Sequence, residues 1–173
     1  SKSMEIFDLS FRSRKEVEAS LALLRAKESI HICASALTSG LLENLTSYVD
    51  LNVLRTLFLT SNAQLQRLPE SLTKLSNLRI LGVGGCQLNA LPDWICRLEQ
   101  LEEIHLRENL LCELPGTLGV LSRLHHLDVR DNKLTALPDP CDQGPQHGTA
   151  SGPPPGLPSS LEVPLLSGNQ LTS

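Results

Sequence analysis

The chain has 173 residues, 40% of them hydrophobic but only 3% aromatic, which suits one domain or one short solenoid with an aliphatic core. Its formal net charge of −4 argues against a nucleic-acid or membrane-surface protein, because both need a concentrated basic patch. No stretch approaches the ~20 apolar residues of a membrane span, and no N-terminal apolar secretory segment is visible.

The first element expected is a helix over residues 13–28. Ser13 and Glu16 stand at the spacing of a capping box, Val17, Leu21 and Leu24 share one face, and Arg25 and Lys27 lie near the end. The short basic run Arg12, Arg14 and Lys15 reads as the solvated face of that helix. Ile30-His31-Ile32 then alternates as a strand does, with Leu37 beyond it.

From Leu54 the chain repeats itself. Leu78, Leu101 and Leu124 open successive stretches of 23 residues, and Leu54 precedes Leu78 by 24. The extra residue of the first stretch falls between Asn62 and Leu65. Within a stretch the apolar spacing is constant. Leu101, Ile104, Leu106, Leu111, Leu114, Leu118 and Leu121 are matched by Leu78, Leu81, Val83, Leu88, Leu91, Ile95 and Leu98. Each stretch carries a Leu-Pro pair, at Leu68-Pro69, Leu91-Pro92, Leu114-Pro115 and Leu137-Pro138. Proline removes a donor and fixes φ, so it ends the strand and turns the chain. The i, i+3 spacing after it suits a helical turn lying over the core.

This pattern resembles the leucine-rich repeat family, whose unit reads L-x-x-L-x-L-x-x-N/C-x-L. The resemblance implies an α/β fold: a curved solenoid with a parallel sheet on its concave face, helical or irregular turns on its convex face, and here an N-terminal helical cap. The spacing supports it independently. Ile104 and Leu106 point to one side of a strand and His105 to the other, and one repeat alone cannot bury its apolar side. The family's inward polar position falls on Asn62, Cys86, Asn109 and Asn132, which the resemblance makes structural residues that hydrogen-bond the turn backbone. Ile30, Ile32 and Leu37 match the fourth, sixth and eleventh positions of a degenerate unit.

Residues 1–53 therefore read as a helical cap with an irregular first repeat, 54–138 as four repeats, 139–160 as a Pro/Gly/Ser-rich loop, and 161–173 as a partial repeat. In the last, Leu161, Leu166, Asn169 and Leu171 fit the first, sixth, ninth and eleventh positions, but Pro164 stands where the fourth leucine is expected. The chain stops there in mid-repeat, as a piece of a longer protein would. Pro155-Gly156-Leu157-Pro158-Ser159-Ser160-Leu161 and Ser167-Gly168-Asn169-Gln170-Leu171-Thr172-Ser173 also resemble the shorter repeats of secreted bacterial effectors of the YopM and IpaH type. The 23-residue units are equally similar to those of eukaryotic scaffolds such as Scribble.

The outward strand positions form columns across the concave face, the usual binding surface of a solenoid. One column is Phe58, Gly82, His105 and Asp128. Others are Thr60, Gly84, Arg107 and Arg130; Ser61, Gly85, Glu108 and Asp131; and Thr56, Ile80, Glu103 and His126. Expected partner contacts are Phe58, Thr60, Ile80, Glu103, His105, Arg107, His126, Asp128 and Arg130. Phe58, Arg107 and Arg130 are the first candidates for anchors, because aromatic and arginine side chains dominate interfaces. Both arginines are expected to project from the sheet. The bland alternative pairs Arg107 with Glu108 and Arg130 with Asp131 as solvated surface. Gly82 and Gly84-Gly85 fail the context of a phosphate loop, which lies between strand and helix. They are expected to leave room for a partner's side chain or to flatten the face.

The function expected is non-catalytic recognition of a protein. No cofactor or metal is implied: Glu103, His105, His125 and His126 carry zinc-type donors but sit on neighbouring strands as ordinary polar residues do. Five cysteines, an odd number without C-x-x-C spacing, suit reduced thiols in the cytoplasm, or in host cytoplasm for a secreted effector. No cysteine has the Cys-x-Asp context expected of an IpaH-type ligase domain. The alternatives are the substrate-recognition region of a ubiquitin ligase whose catalytic domain lies outside this chain, and a eukaryotic signalling scaffold.

Overall fold

The computed structural model describes residues 6–8, 13–20, 27–33, 37–47, 49–50, 52–138 and 156–172. Most of the expected Pro/Gly/Ser-rich loop, residues 139–155, lies outside the described residues, as do Leu21 and Leu24 of the expected cap helix.

Six strands pair in parallel and in sequence order: β1 (Ile6–Asp8), β2 (Ser29–His31), β3 (Thr56–Phe58), β4 (Ile80–Gly82), β5 (Glu103–His105) and β6 (His126–Asp128). The register is that of the repeat. Ile30, Leu57, Leu81, Ile104 and Leu127 oppose one another strand by strand, and all five are buried. Leu59, Val83, Leu106 and Val129 lie two residues further on, on the same inner side, and are fully buried. One continuous aliphatic core runs the length of the curved solenoid. Each fully buried leucine contributes about 1.5–3 kcal/mol relative to exposure.

The convex side is built from short 3-10 turns at Glu70–Lys74, Asp93–Arg97 and Gly116–Val120. The cause is the expected one: Pro69, Pro92 and Pro115 hold extended backbone immediately before each turn, with φ of −73°, −66° and −68°. Leu72, Ile95 and Leu118 close the turns over the core. Helix α2 (Ser39–Leu45) fills the same place over the irregular repeat. Thr38 caps it by accepting from the Leu41 N–H, and Leu41, Leu42 and Leu45 are buried.

The N-terminal end differs from expectation. The capping box forms, with the Ser13 N–H donating to Glu16 Oε2 and the Glu16 N–H to Ser13 Oγ. Helix α1 (Arg14–Ser20) follows from it, but Lys27 and Glu28 are no longer helical. The sheet also extends in front of the helix, through β1. Three residues are too few for a legible alternation, and only pairing with β2 makes them a strand.

The ladder of inward polar residues has the geometry its amides allow. Asn109 Nδ2 donates to the Val83 and Leu106 carbonyls at 2.8 and 2.9 Å, and its Oδ1 accepts from the Leu88 N–H. Asn132 repeats this with Leu106, Val129 and the Leu111 N–H. Cys86 donates its thiol to the Leu59 carbonyl at 3.3 Å, and burial pushes that thiol's pKa up, so it stays a donor. It offers no strong acceptor for the preceding repeat. There the extra residue after Asn62 takes over: the Leu65 N–H turns back onto the Asn62 carbonyl at 3.0 Å. The longer repeat and the cysteine are two halves of one solution.

A further rung follows β6. Leu165 bridges Asp128 in parallel, and its N–H donates to the Leu127 carbonyl. Asn169 donates to Val129 and Leu166 and accepts from the Leu134 N–H, as the other asparagines do. Pro164 fits because N–H groups alternate sides along a strand. Its nitrogen faces away from β6, and no bond to the sheet is lost.

Candidate functional site

Each outward column is set by register, so its members are neighbours ~4.8 Å apart. In the column of Phe58, Gly82, His105 and Asp128, packing adds a member that the sequence columns omitted. His31 pairs with Phe58 in register, and their rings meet edge to face with centroids 4.9 Å apart. Phe58 reaches on to His105 at 6.0 Å, and His105 to His126 at 4.9 Å. A row of four rings thus crosses the concave face from β2 to β6. The signal for His31 was present in the alternation Ile30-His31-Ile32, once the irregular repeat is aligned with the regular ones.

Phe58 spans β4 only because residue 82 is glycine. A Cβ there would meet the Cδ1 and Cε1 atoms of the Phe58 ring. The expectation that Gly82 leaves space for a partner is therefore corrected, since the protein's own phenyl ring fills that space. At Gly84 a Cβ would lie 3.1 Å from the Arg107 carbonyl oxygen, so close strand approach explains this glycine. The column of Ser61, Gly85, Glu108 and Asp131 is also not flat strand. These residues have φ of 60°, 64°, 59° and 56°, and Gly168 of the last rung has 73°. This is the left-handed bend that follows β3, β4, β5, β6 and the last rung, and it favours glycine or a residue with a short polar side chain.

The charged groups lie on the repeats of β5 and β6. Arg130 chelates Asp128, with Nε to Oδ1 at 2.9 Å and Nη2 to Oδ2 at 2.7 Å. Asp128 has only 8% of its side chain exposed, so this is a closed fork. The Arg130 hydrogen bond holds the Asp128 carboxyl below the usual carboxylate range, although burial opposes the shift. The same bond raises the Arg130 pKa. Arg107 Nε reaches Asp131 at 2.9 Å and Glu108 at 3.1 Å. The pairing of Arg107 with Glu108 occurs as read from sequence. Arg130 pairs with Asp128 rather than Asp131, because Asp131 turns toward Arg107 at the left-handed bend. Arg130 therefore does not project freely. Glu103 holds His105 through Oε2–Nε2 at 3.0 Å. Thr60 and Ile80 are half-buried, and Thr60 Oγ1 accepts from the Cys33 thiol at 3.4 Å.

Among the described residues no group of three histidine, cysteine, aspartate or glutamate side chains is arranged to hold a metal ion. Nor is any helix among them long and apolar enough to cross a membrane.

A leucine-rich repeat protein of Leptospira interrogans superposes with a TM-score of 0.69 at 25% sequence identity, covering 97% of this chain. This chain has the leucine-rich repeat fold. A second structure, TLR13 in its complex with ssRNA13, matches with a TM-score of 0.62 over 78% of the chain at 21% identity, a likeness of fold. The present solenoid spans 44% of the length of the first and 20% of the second. The sequence matches no family model and no curated protein. Stacked repeats of this kind present an extended concave surface, the usual binding face of a solenoid.

Proposed function

We propose that this chain is a non-catalytic recognition module that binds a protein partner across the concave face between β2 and β6. The observation that carries this reading is the row His31, Phe58, His105 and His126, four rings in contact on the outer side of the sheet. Rings on a rigid strand lose little entropy on binding and supply large contact area, which is why such side chains anchor interfaces. Phe58, Ile80, His105 and His126 form the contact core in this reading, with Thr60, Glu103 and Arg107 around it. Asp128 and Arg130, locked to each other, set the far wall.

The structural neighbour solved with ssRNA13 raises the case of a nucleic-acid ligand. Carboxylates outnumber guanidiniums on this face, and a phosphate backbone needs the reverse. Protein is the better match. We place the encounter in cytoplasm, including host cytoplasm if the chain belongs to a delivered effector. The stretches 155–161 and 167–173 are the sequence basis of the effector-type reading, and with it of the alternative that a ligase uses these repeats to select its substrate.

The test is affinity capture from cell lysate with wild type beside Phe58→Ala, read by mass spectrometry, with circular dichroism to confirm folding of the variant. A protein held by wild type and lost from the folded variant is the expected result. Identical capture by both would refute the concave-face assignment.

A further inference from the structure

The outward side chains of β3 and β4 carry no charge: Thr56, Phe58, Ile80 and Gly82. Four carboxylates and two guanidiniums occupy the outward and bend positions of the next two repeats, leaving two negative charges in excess. Both guanidiniums are already engaged, Arg130 in its fork with Asp128 and Arg107 between Asp131 and Glu108. An anionic ligand would have to break those pairs to reach either one. The carboxylates keep spare capacity. Glu103 uses one oxygen on His105, and the Glu108 side chain is 60% exposed beside a guanidinium it shares with Asp131. A cation arriving here adds bonds without displacing any.

Resting on the concave-face reading, we propose that the partner presents a basic polypeptide segment, with an apolar side chain set over Phe58 and an arginine or lysine beside Glu103 or Glu108. Charge complementarity selects the basic segment, and the ring row selects the apolar residue next to it. Phe58 leans across β4, and its ring centroid is 6.0 Å from that of His105. The apolar and basic residues of an extended segment then stand about two residues apart, at ~3.3 Å each, which also keeps both side chains on the same side.

The experiment titrates the full chain, labelled for amide NMR, with a peptide of three Leu-Ser-Arg-Ser units, whose leucines and arginines share one side of an extended chain. Matched probes are the same peptide with glutamate for arginine, and a single-stranded oligouridylate. The arginine peptide is expected to shift the amides of Gly82, Glu103 and His105 more strongly than either anionic probe. Glu103→Gln with Glu108→Gln should weaken it about fivefold, the scale of two exposed charge contacts. Glu70→Gln with Glu99→Gln, the same charge change away from the strands, should leave it unaltered. If an anionic probe takes the concave face instead, if the two double variants weaken binding equally, or if no probe binds, the basic-segment proposal is overturned while the concave-face reading stands on its capture test. Shifts confined to the convex 3-10 turns would overturn both.

Discussion

The coupling between the 24-residue repeat and Cys86 makes a prediction that depends on single hydrogen bonds. Asn109→Cys places at the third repeat what the protein already has at the second. The thiol can still donate to the Val83 carbonyl, as Cys86 does to Leu59. It cannot replace Oδ1 as a strong acceptor, so the Leu88 N–H, now bonded at 3.1 Å, is orphaned beside a buried leucine. An unsatisfied buried donor costs about 1–3 kcal/mol. For a chain of this length each kcal/mol lowers Tm by about 2–4 °C. Inserting one residue after Gln87 should return part of the loss by letting the Leu88 N–H turn back on the Cys86 carbonyl, as the Leu65 N–H does on Asn62. Urea and thermal unfolding of wild type, each single variant and the combination form a double-mutant cycle. The expected coupling is favourable and about 1 kcal/mol. Additive losses, or an Asn109→Cys variant within about 0.5 kcal/mol of wild type, would show that the acceptor role does not explain the extra residue.

Leu106→Ala removes a fully buried side chain from the centre of the core and should cost about 2–5 kcal/mol in urea unfolding; a negligible loss would contradict the strand register. Gly82→Ala forces the Phe58 ring off β4, so the contact between Phe58 and His105 should disappear from NOE spectra and stability should fall. An unchanged spectrum would mean that the ring does not need the glycine. Asp128 has a lowered carboxyl pKa, so its contribution to stability is complete above the ordinary value of about 3.9 and is lost as pH falls through the lower folded value. Asp128→Asn should therefore flatten the acid limb of the stability–pH curve below about pH 4, and an unaltered limb would refute the role of the Arg130 fork. For the same reason Arg130→Glu, which sets two carboxylates together at a buried position, should destabilise the fold and is a poor probe of binding, whereas Arg107→Glu acts on an exposed group.

Much of the solenoid is legible from residue spacing. A 23-residue recurrence with leucine at fixed places allows one strand register, because a slip of one residue would turn Leu81, Ile104 and Leu127 to solvent. The same count marks Asn62, Cys86, Asn109 and Asn132 as an inward ladder, and it flags the one repeat that is a residue too long. It also assigns Phe58, His105 and His126 to the outward side. Pattern does not reach events between strands distant in sequence. Nothing local says that Phe58 lies across a glycine 24 positions later, or that the ring of His31, whose outward place the alternation does give, packs against it. Nor could it say that Arg130 closes on Asp128, two residues back, while Asp131 turns to Arg107. Those choices depend on side-chain rotamers fixed by the neighbouring rung and by the left-handed bend after β5 and β6. β1 was invisible for a related reason: three residues become a strand only when an open edge is there to pair with them. Period alone set which residues face inward, because burial follows backbone alternation. The character of the outward face was decided in the folded protein, where the columns first become neighbours.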